Sequence, residues 1–407
     1  MINRDSYLKQ LQPFIAKPII KVLTGIRRSG KSTILLLLKE ALLKKGVRED
    51  QIIHINFESF SFLHLKEATA LYAYIKEHLT TGQVCFVLLD EIQEVDAWEK
   101  AVNAIWVDFG VDLYITGSNS HLLSSELATH LAGRYVELPV YTLSFQEYLE
   151  FTAFYQKDST SDYPKALMDY LQTGGFPLIH TATYTLEAIY KVVYDIYSSV
   201  ILRDTVQRYK IRDVELLERV VKYAFDNIGH TFSGKNVADY FKSQQRKVDV
   251  NTVYNYLHAL EGGFVLYRVS RYDIKGKELL KTQEKFYVSD LSVIYSLMGY
   301  RNRMISGLLE NVVFLELKRK GYQVYIGKLE DKEIDFIAEK QGAKCYIQVA
   351  YKLESEATIE REFGSLLAIK DQYPKYVVTL DDHWSEAVEG VRHVHLAHFL
   401  LMEQYHN

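Results

Sequence analysis

The chain has 407 residues, 48% of them apolar and 25% charged, which suggests roughly two to four domains at ~100–200 residues each. That apolar share excludes a chain disordered in its main state, and only 21 glycines and six prolines exclude a collagen-like or linker-rich one. With 48 Lys and Arg against 52 Asp and Glu the net charge is −4, which rules out a globally basic nucleic-acid coat but not a local basic face.

The first residues, Met1 to Ser6, lack the apolar stretch of a signal peptide. The longest apolar run, Val84 to Leu89, falls far short of the ~20 residues of a bilayer span. Cys85 and Cys345 stand far apart, without metal-ligand spacing. A cytoplasmic protein without membrane contact is expected.

In residues 1–140 five strands are expected, at Ile19–Thr24, Ile52–Phe57, Val84–Leu89, Asp112–Thr116 and Tyr135–Leu138, separated by helices such as Lys31–Lys44 and Ala97–Val107. Such alternation implies an α/β fold with a parallel sheet covered on both faces. Its ligand should bind beyond the carboxyl ends of the strands.

Gly25-Ile26-Arg27-Arg28-Ser29-Gly30-Lys31-Ser32 follows the first strand and opens a helix, the context a phosphate-binding loop requires. Its glycines let backbone amides curl around a phosphate chain, and the helix N-terminus adds partial positive charge. The expected ATP-binding set is Gly25, Arg28, Ser29, Gly30, Lys31, Ser32 and Thr33, with Lys31 on the β- and γ-phosphates and Ser32 on Mg²⁺. Lys31 is expected to lie outside the core.

The strand ending at Leu89 delivers Asp90 and Glu91 beside that loop. Asp90 suits a Mg²⁺-linked carboxylate, and Glu91 a base that orients the attacking water, with Glu58 the next candidate. The fourth strand ends in Thr116-Gly117-Ser118-Asn119-Ser120, where Asn119 is expected to read the γ-phosphate or hold the water. Arg134 is expected to stabilise charge, in cis or across the interface of a homo-oligomer.

Residues 141–205 read as helical, broken at Thr173-Gly174-Gly175-Phe176-Pro177. In 206–300, Ser233 can cap a helix at Val237–Phe241, and a second helix, Val250–Glu261, sets Val253, Leu257 and Leu260 opposite Asn251, Asn255 and His258. Gly262-Gly263 then opens a hairpin, Phe264–Tyr272 and Lys281–Ser289, turning at Lys275-Gly276-Lys277. From His230 to Asp290 there are ten Lys and Arg against seven Asp and Glu. Arg246, Lys247, Arg268, Arg271, Lys275, Lys277, Lys281 and Lys285 offer contacts for phosphates. Residues 301–407 read as another α/β unit: a helix at Leu308–Lys320, strands at Tyr322–Ile326, Glu333–Ala338 and Lys344–Tyr351, a helix at Glu356–Asp371 and a strand at Tyr376–Leu380.

Taken in order, Gly25–Thr33, Leu88–Asp96, Ile115–Ser125, Gly133–Glu147, Gly174–Pro177, Asp290-Leu291, Leu309-Glu310-Asn311, Glu333-Ile334-Asp335-Phe336 and Tyr346-Ile347-Gln348-Val349 resemble bacterial and archaeal AAA-type ATPases with a C-terminal half of unassigned function. The resemblance covers nearly the whole chain. It implies an AAA+ nucleotide-binding domain (1–140), a helical lid or linker (141–205), a winged helix (206–300) and a restriction-endonuclease-like α/β domain (301–407). Metal-dependent nucleases of the PD-(D/E)xK type place a carboxylate and then Glu-x-Lys where this chain has Asp335 and Gln348-Val349-Ala350, with Glu310 on the preceding helix. A neutral Gln348 weakens a hard-cation site, with Glu333 or Lys352 the alternative that would rebuild one, so a degenerate domain without cleavage is expected. Three functional readings follow. One is an ATPase that switches contacts of its C-terminal domains with duplex DNA through the winged helix or with a protein partner. The others are a signalling ATPase with protein contacts only, and an ATP-dependent nuclease.

Overall fold

The computed structural model describes residues 2, 4–80, 82–119, 133–157, 159–299, 304–381 and 387–406, without the side chains of 200–202 and 281–282. The chain divides into two units, 1–142 with 262–264, and 143–261 with 265–407. Among the described residues no helix is long and apolar enough to cross a membrane.

The first unit is built on β1 (Ile20–Thr24), β2 (Ile52–Asn56), β3 (Phe86–Asp90), β4 (Asp112–Gly117) and β5 (Tyr135–Pro139). All pair in parallel, in the order β2-β3-β4-β1-β5. β3 starts two residues later than expected, since Val84 is exposed, and carries Asp90 within the strand. Alternation along each strand feeds two cores. Leu23 and Leu88 pack with Ile34, Leu35 and Leu38 of the helix Lys31–Lys44. Val22, Val87 and Leu89 pack with Leu71 and Ile75 of the helix Ala68–His78 and with Val102 and Ile105 of the helix Trp98–Phe109. Burial on both faces is what continuous apolar strands require.

Lys21 interrupts the apolar pattern of β1. Its ammonium is buried against the Asp112 carboxylate of β4, which also accepts from the Tyr114 hydroxyl at 2.9 Å and the Ala16 amide at 2.8 Å. Burial lowers the Lys21 pKa while Asp112 opposes the shift. A paired charge can occupy a central strand where a lone one would not.

The second unit begins with the helices Phe145–Phe151, Tyr163–Thr173 and Leu186–Tyr197. Gly174 ends the second of these at φ +73°, where a Cβ would lie 2.0 Å from Asp290 Oδ1. The helix Val214–Asp226, β6 (Thr231–Phe232), the helices Gly234–Ser243 and Val250–Gly262, and the hairpin β7 (Leu266–Asp273) and β8 (Glu278–Val288) follow. Ser233 caps the first helix of that pair by accepting from the Asn236 amide.

This hairpin is not a free wing. β9 (Gln323–Leu329) pairs in parallel with β7 over Arg271–Asp273. A nine-stranded sheet therefore runs from β6 through β8, β7 and β9 to β10 (Lys332–Lys340), β11 (Ala343–Val349), β12 (Lys375–Thr379), β14 (Val391–His395) and β13 (Ala387–Val388). Segments 206–300 and 301–407 thus share one sheet, which satisfies edge groups that a separate hairpin would leave unpaired. The helix Ile305–Arg319 is buried at every position from Gly307 to Leu317, as a helix apolar nearly all round must be.

Candidate nucleotide site

The loop after β1 is shaped by positions only glycine fits. Gly25 has φ +144°, and a Cβ there would lie 2.1 Å from the Val140 carbonyl. Gly30, at φ +99°, turns the chain into the helix that starts at Lys31. Lys31 is buried, contrary to expectation, because its ammonium donates back to the carbonyls of Gly25 (3.0 Å) and Ile26 (3.2 Å). Ser29 Oγ is buried and has no hydrogen-bond partner among the described residues. The loop is held from behind by Arg4, a residue that sequence reasoning missed. Its guanidinium donates to Ser29 O (2.7 Å) and Tyr141 O (3.0 Å) and lies over the Tyr7 ring. An arginine before the first strand gives no periodic or motif signal.

The two acids stand at the carboxyl end of β3. Asp90 accepts from Thr116 Oγ1 (2.6 Å) and Asn56 Nδ2 (3.1 Å), and the Ser32 hydroxyl also bonds to it. Burial raises its pKa, with the Thr116 and Ser32 bonds opposing. Glu91 adopts a left-handed conformation, φ +55°, a strain that side chains carry chiefly where geometry is imposed. Its amide donates to Thr116 Oγ1 at 2.9 Å, and its Oε1 lies 3.7 Å from the Lys31 ammonium. Burial pushes Glu91 up, but Lys31, Gln93 and Ser118 outweigh it and hold the carboxyl below its ordinary range. A serine hydroxyl beside a carboxylate is a hard-oxygen pair of the kind Mg²⁺ takes, so Ser32 and Asp90 fit that ion.

From the fourth strand, Thr116 and Ser118 supply the hydroxyls that meet the acids. Asn119, the residue expected there, is buried, and Ser120 lies outside the described residues. Glu58 is half-exposed and paired with Arg27 at 2.7 Å. Arg134 corrects the reading in cis. Its carbonyl accepts from the Ile20 amide, so it sits at the start of β5, five residues from the loop end of the β1–β5 register, or about 17 Å at ~3.3 Å per residue. Its guanidinium lies on Trp106 and donates to Asn103.

A family model described as an AAA domain matches residues 17–149, and one described as a domain of unknown function matches 164–303. An uncharacterized protein of Haemophilus influenzae is 37% identical over 98% of this chain and 99% of its own length. One of Methanocaldococcus jannaschii is 32% identical over 91% and 82%. The chain belongs to the AAA-type P-loop ATPases. Among solved structures, the Walker-type ATPase of Pyrococcus abyssi aligns at 15% identity, TM-score 0.47, over 73% of this chain and 96% of that one. The DNA-bound Orc1 protein of Aeropyrum pernix aligns at 13%, TM-score 0.32, over 73% and 92%.

In the second unit of this AAA-type ATPase, five of the ten basic residues of 230–290 have side-chain partners among the described residues. Arg246 bonds to Asp213 and Glu215, Arg268 to Glu261, Arg271 to Gln283, and Lys275 to Glu330. Lys285 is buried rather than set on a solvated hairpin, and the Lys281 side chain lies outside the described residues. Asn251, Asn255 and His258 are exposed, as expected.

Proposed function

We propose that this AAA-type ATPase binds Mg²⁺–ATP on the Gly25–Thr33 loop and hydrolyses it. The supporting observation is the convergence of Lys31, Ser32, Asp90, Glu91 and Thr116 at the carboxyl ends of β1, β3 and β4. Backbone amides of the loop and the start of the helix Lys31–Lys44 receive the phosphates, and Lys31 neutralises them. Bound Mg²⁺, held through Ser32 and Asp90, would draw charge from the phosphate oxygens. Glu91, anionic because Lys31 opposes its burial, accepts the proton of the attacking water. Thr116 keeps the two acids in fixed register by donating to Asp90 and accepting from the Glu91 amide.

We read 206–300 as a winged helix, on its order of helix, short strand, two helices and hairpin. The pairing of Arg246, Arg268 and Lys275 with carboxylates and the burial of Lys285 favour a protein partner over duplex DNA, since phosphate contacts need cations whose charge is not already met. ATP turnover measured with the wild type and with Lys31→Ala and Glu91→Gln, each with and without DNA, tests both parts. Equal turnover in all three proteins rejects the site, and stimulation by DNA rejects the protein-only reading.

A further inference from the structure

The PD-(D/E)xK resemblance implies a divalent metal among the carboxylates of the second unit, and the residues present do not fit one. Glu310 comes from the helix Ile305–Arg319, and Glu333 and Asp335 from β10. Between them stands the ammonium of Lys285, delivered from β8. Its Nζ lies 3.0 Å from Glu310 Oε2, 2.9 Å from Glu333 Oε1 and 3.4 Å from Asp335 Oδ1.

Further donors and acceptors close the set. The Tyr287 hydroxyl donates to Glu310 Oε2 at 3.0 Å, and the Val349 amide donates to Asp335 Oδ2 at 2.9 Å. Gln348, at the place of the second metal-binding acid, accepts from the Asp335 amide through Oε1 at 3.2 Å. Mg²⁺ demands near-octahedral oxygen at ~2.0–2.1 Å, whereas these carboxylates meet at hydrogen-bond distances around a nitrogen. Lys352, the sequence candidate to rebuild a nuclease site, has its ammonium over the Tyr351 ring.

We propose that Lys285 is the resident cation of this site, standing among Glu310, Glu333 and Asp335 in place of a divalent metal, offsetting part of their charge and tying β8 to β10 and to the helix Ile305–Arg319. Lys285 is 2% exposed, and burial alone would lower its pKa. The three carboxylates outweigh that and raise it, so the ammonium stays charged. Burial pushes Glu310 and Asp335 up, with the charge of Lys285 opposing at both. A lysine tethered through its own strand cannot dissociate as a metal can, so the compensation is built in with the fold. Without it, Glu310, Glu333 and Asp335 would form an oxygen pocket short of positive charge, which is what a hard divalent ion binds.

The test is a Mn²⁺ titration of the full chain, read by electron paramagnetic resonance. Wild type and Asp335→Asn should bind the same number of ions. Lys285→Met should bind one additional equivalent, and Lys285→Met with Asp335→Asn should return to the wild-type number. An equivalent that the wild type has and Asp335→Asn lacks overturns the proposal, as does a folded Lys285→Met that gains none. Should Lys285→Met not fold, melting temperatures decide with the other two proteins. Mn²⁺ shifting wild type and Asp335→Asn equally supports Lys285 as the cation, and a shift confined to wild type refutes it.

Discussion

Glu91→Gln is the sharpest probe of the nucleotide site. The change keeps side-chain size and removes one negative charge that lies 3.7 Å from the Lys31 ammonium. At an effective dielectric of about 20 that pair is worth roughly 4 kcal/mol of Coulomb energy before desolvation is subtracted. Its loss frees Lys31 for phosphate, so the variant should bind a fluorescent ATP analogue at least as tightly as wild type. Hydrolysis should slow at least ~100-fold, the low end for loss of a general base, which is about 2.7 kcal/mol of barrier. Steady-state phosphate release measures it. Glu58→Gln serves as the control and should stay within about twofold, because Glu58 is half-exposed and already paired with Arg27. The stability effect has a definite sign with pH. The Glu91 carboxyl titrates below the ordinary glutamate value, so its pairing with Lys31 stabilises fully above that value and is lost as pH falls through the lowered one. The difference in unfolding free energy between wild type and variant should shrink on that acid limb. Turnover of Glu91→Gln within tenfold of wild type, or an equal loss in Glu58→Gln, would refute the assignment.

Lys31→Ala should abolish ATP binding in a calorimetric titration. Because Lys31 is buried on two loop carbonyls, it should also cost about 1 kcal/mol in urea unfolding. Arg4→Ala strips donors from the buried carbonyls of Ser29 and Tyr141. It should destabilise by about 2–6 kcal/mol at ~1–3 per unsatisfied group, and raise the KM for ATP. Duplex DNA at low salt should not be retained by the wild type in a filter assay. Retention whose log-salt slope falls by roughly 0.9 for each of Lys275→Ala and Lys277→Ala would restore the nucleic-acid reading. Supercoiled plasmid with Mn²⁺ should stay intact; nicking that survives Lys31→Ala but vanishes in Asp335→Ala would show a working nuclease.

The sequence by itself determined the glycine-shaped loop after β1, the five-stranded core and the place of the two acids, because each rests on local chemistry. Gly25 and Gly30 answer backbone angles, continuous apolar runs answer two-sided burial, and Asp90-Glu91 follows its strand directly. Parts of the site supplied by residues distant in the chain were not legible. Arg4 meets Ser29 and Tyr141, and Asn56 meets Asp90, only because separate segments pack together. Arg134 sits one residue before a correctly expected strand, yet the parallel register with β1 places it at the wrong end of the sheet for the loop. Strand pairing decided the rest. The hairpin read as a solvated wing joins β9 in one sheet, and Lys285, which reads as a phosphate contact in sequence, is carried inward to three carboxylates 25 to 50 residues away. Charge along a strand is visible in a sequence, but the partner of that charge is a property of the packed fold.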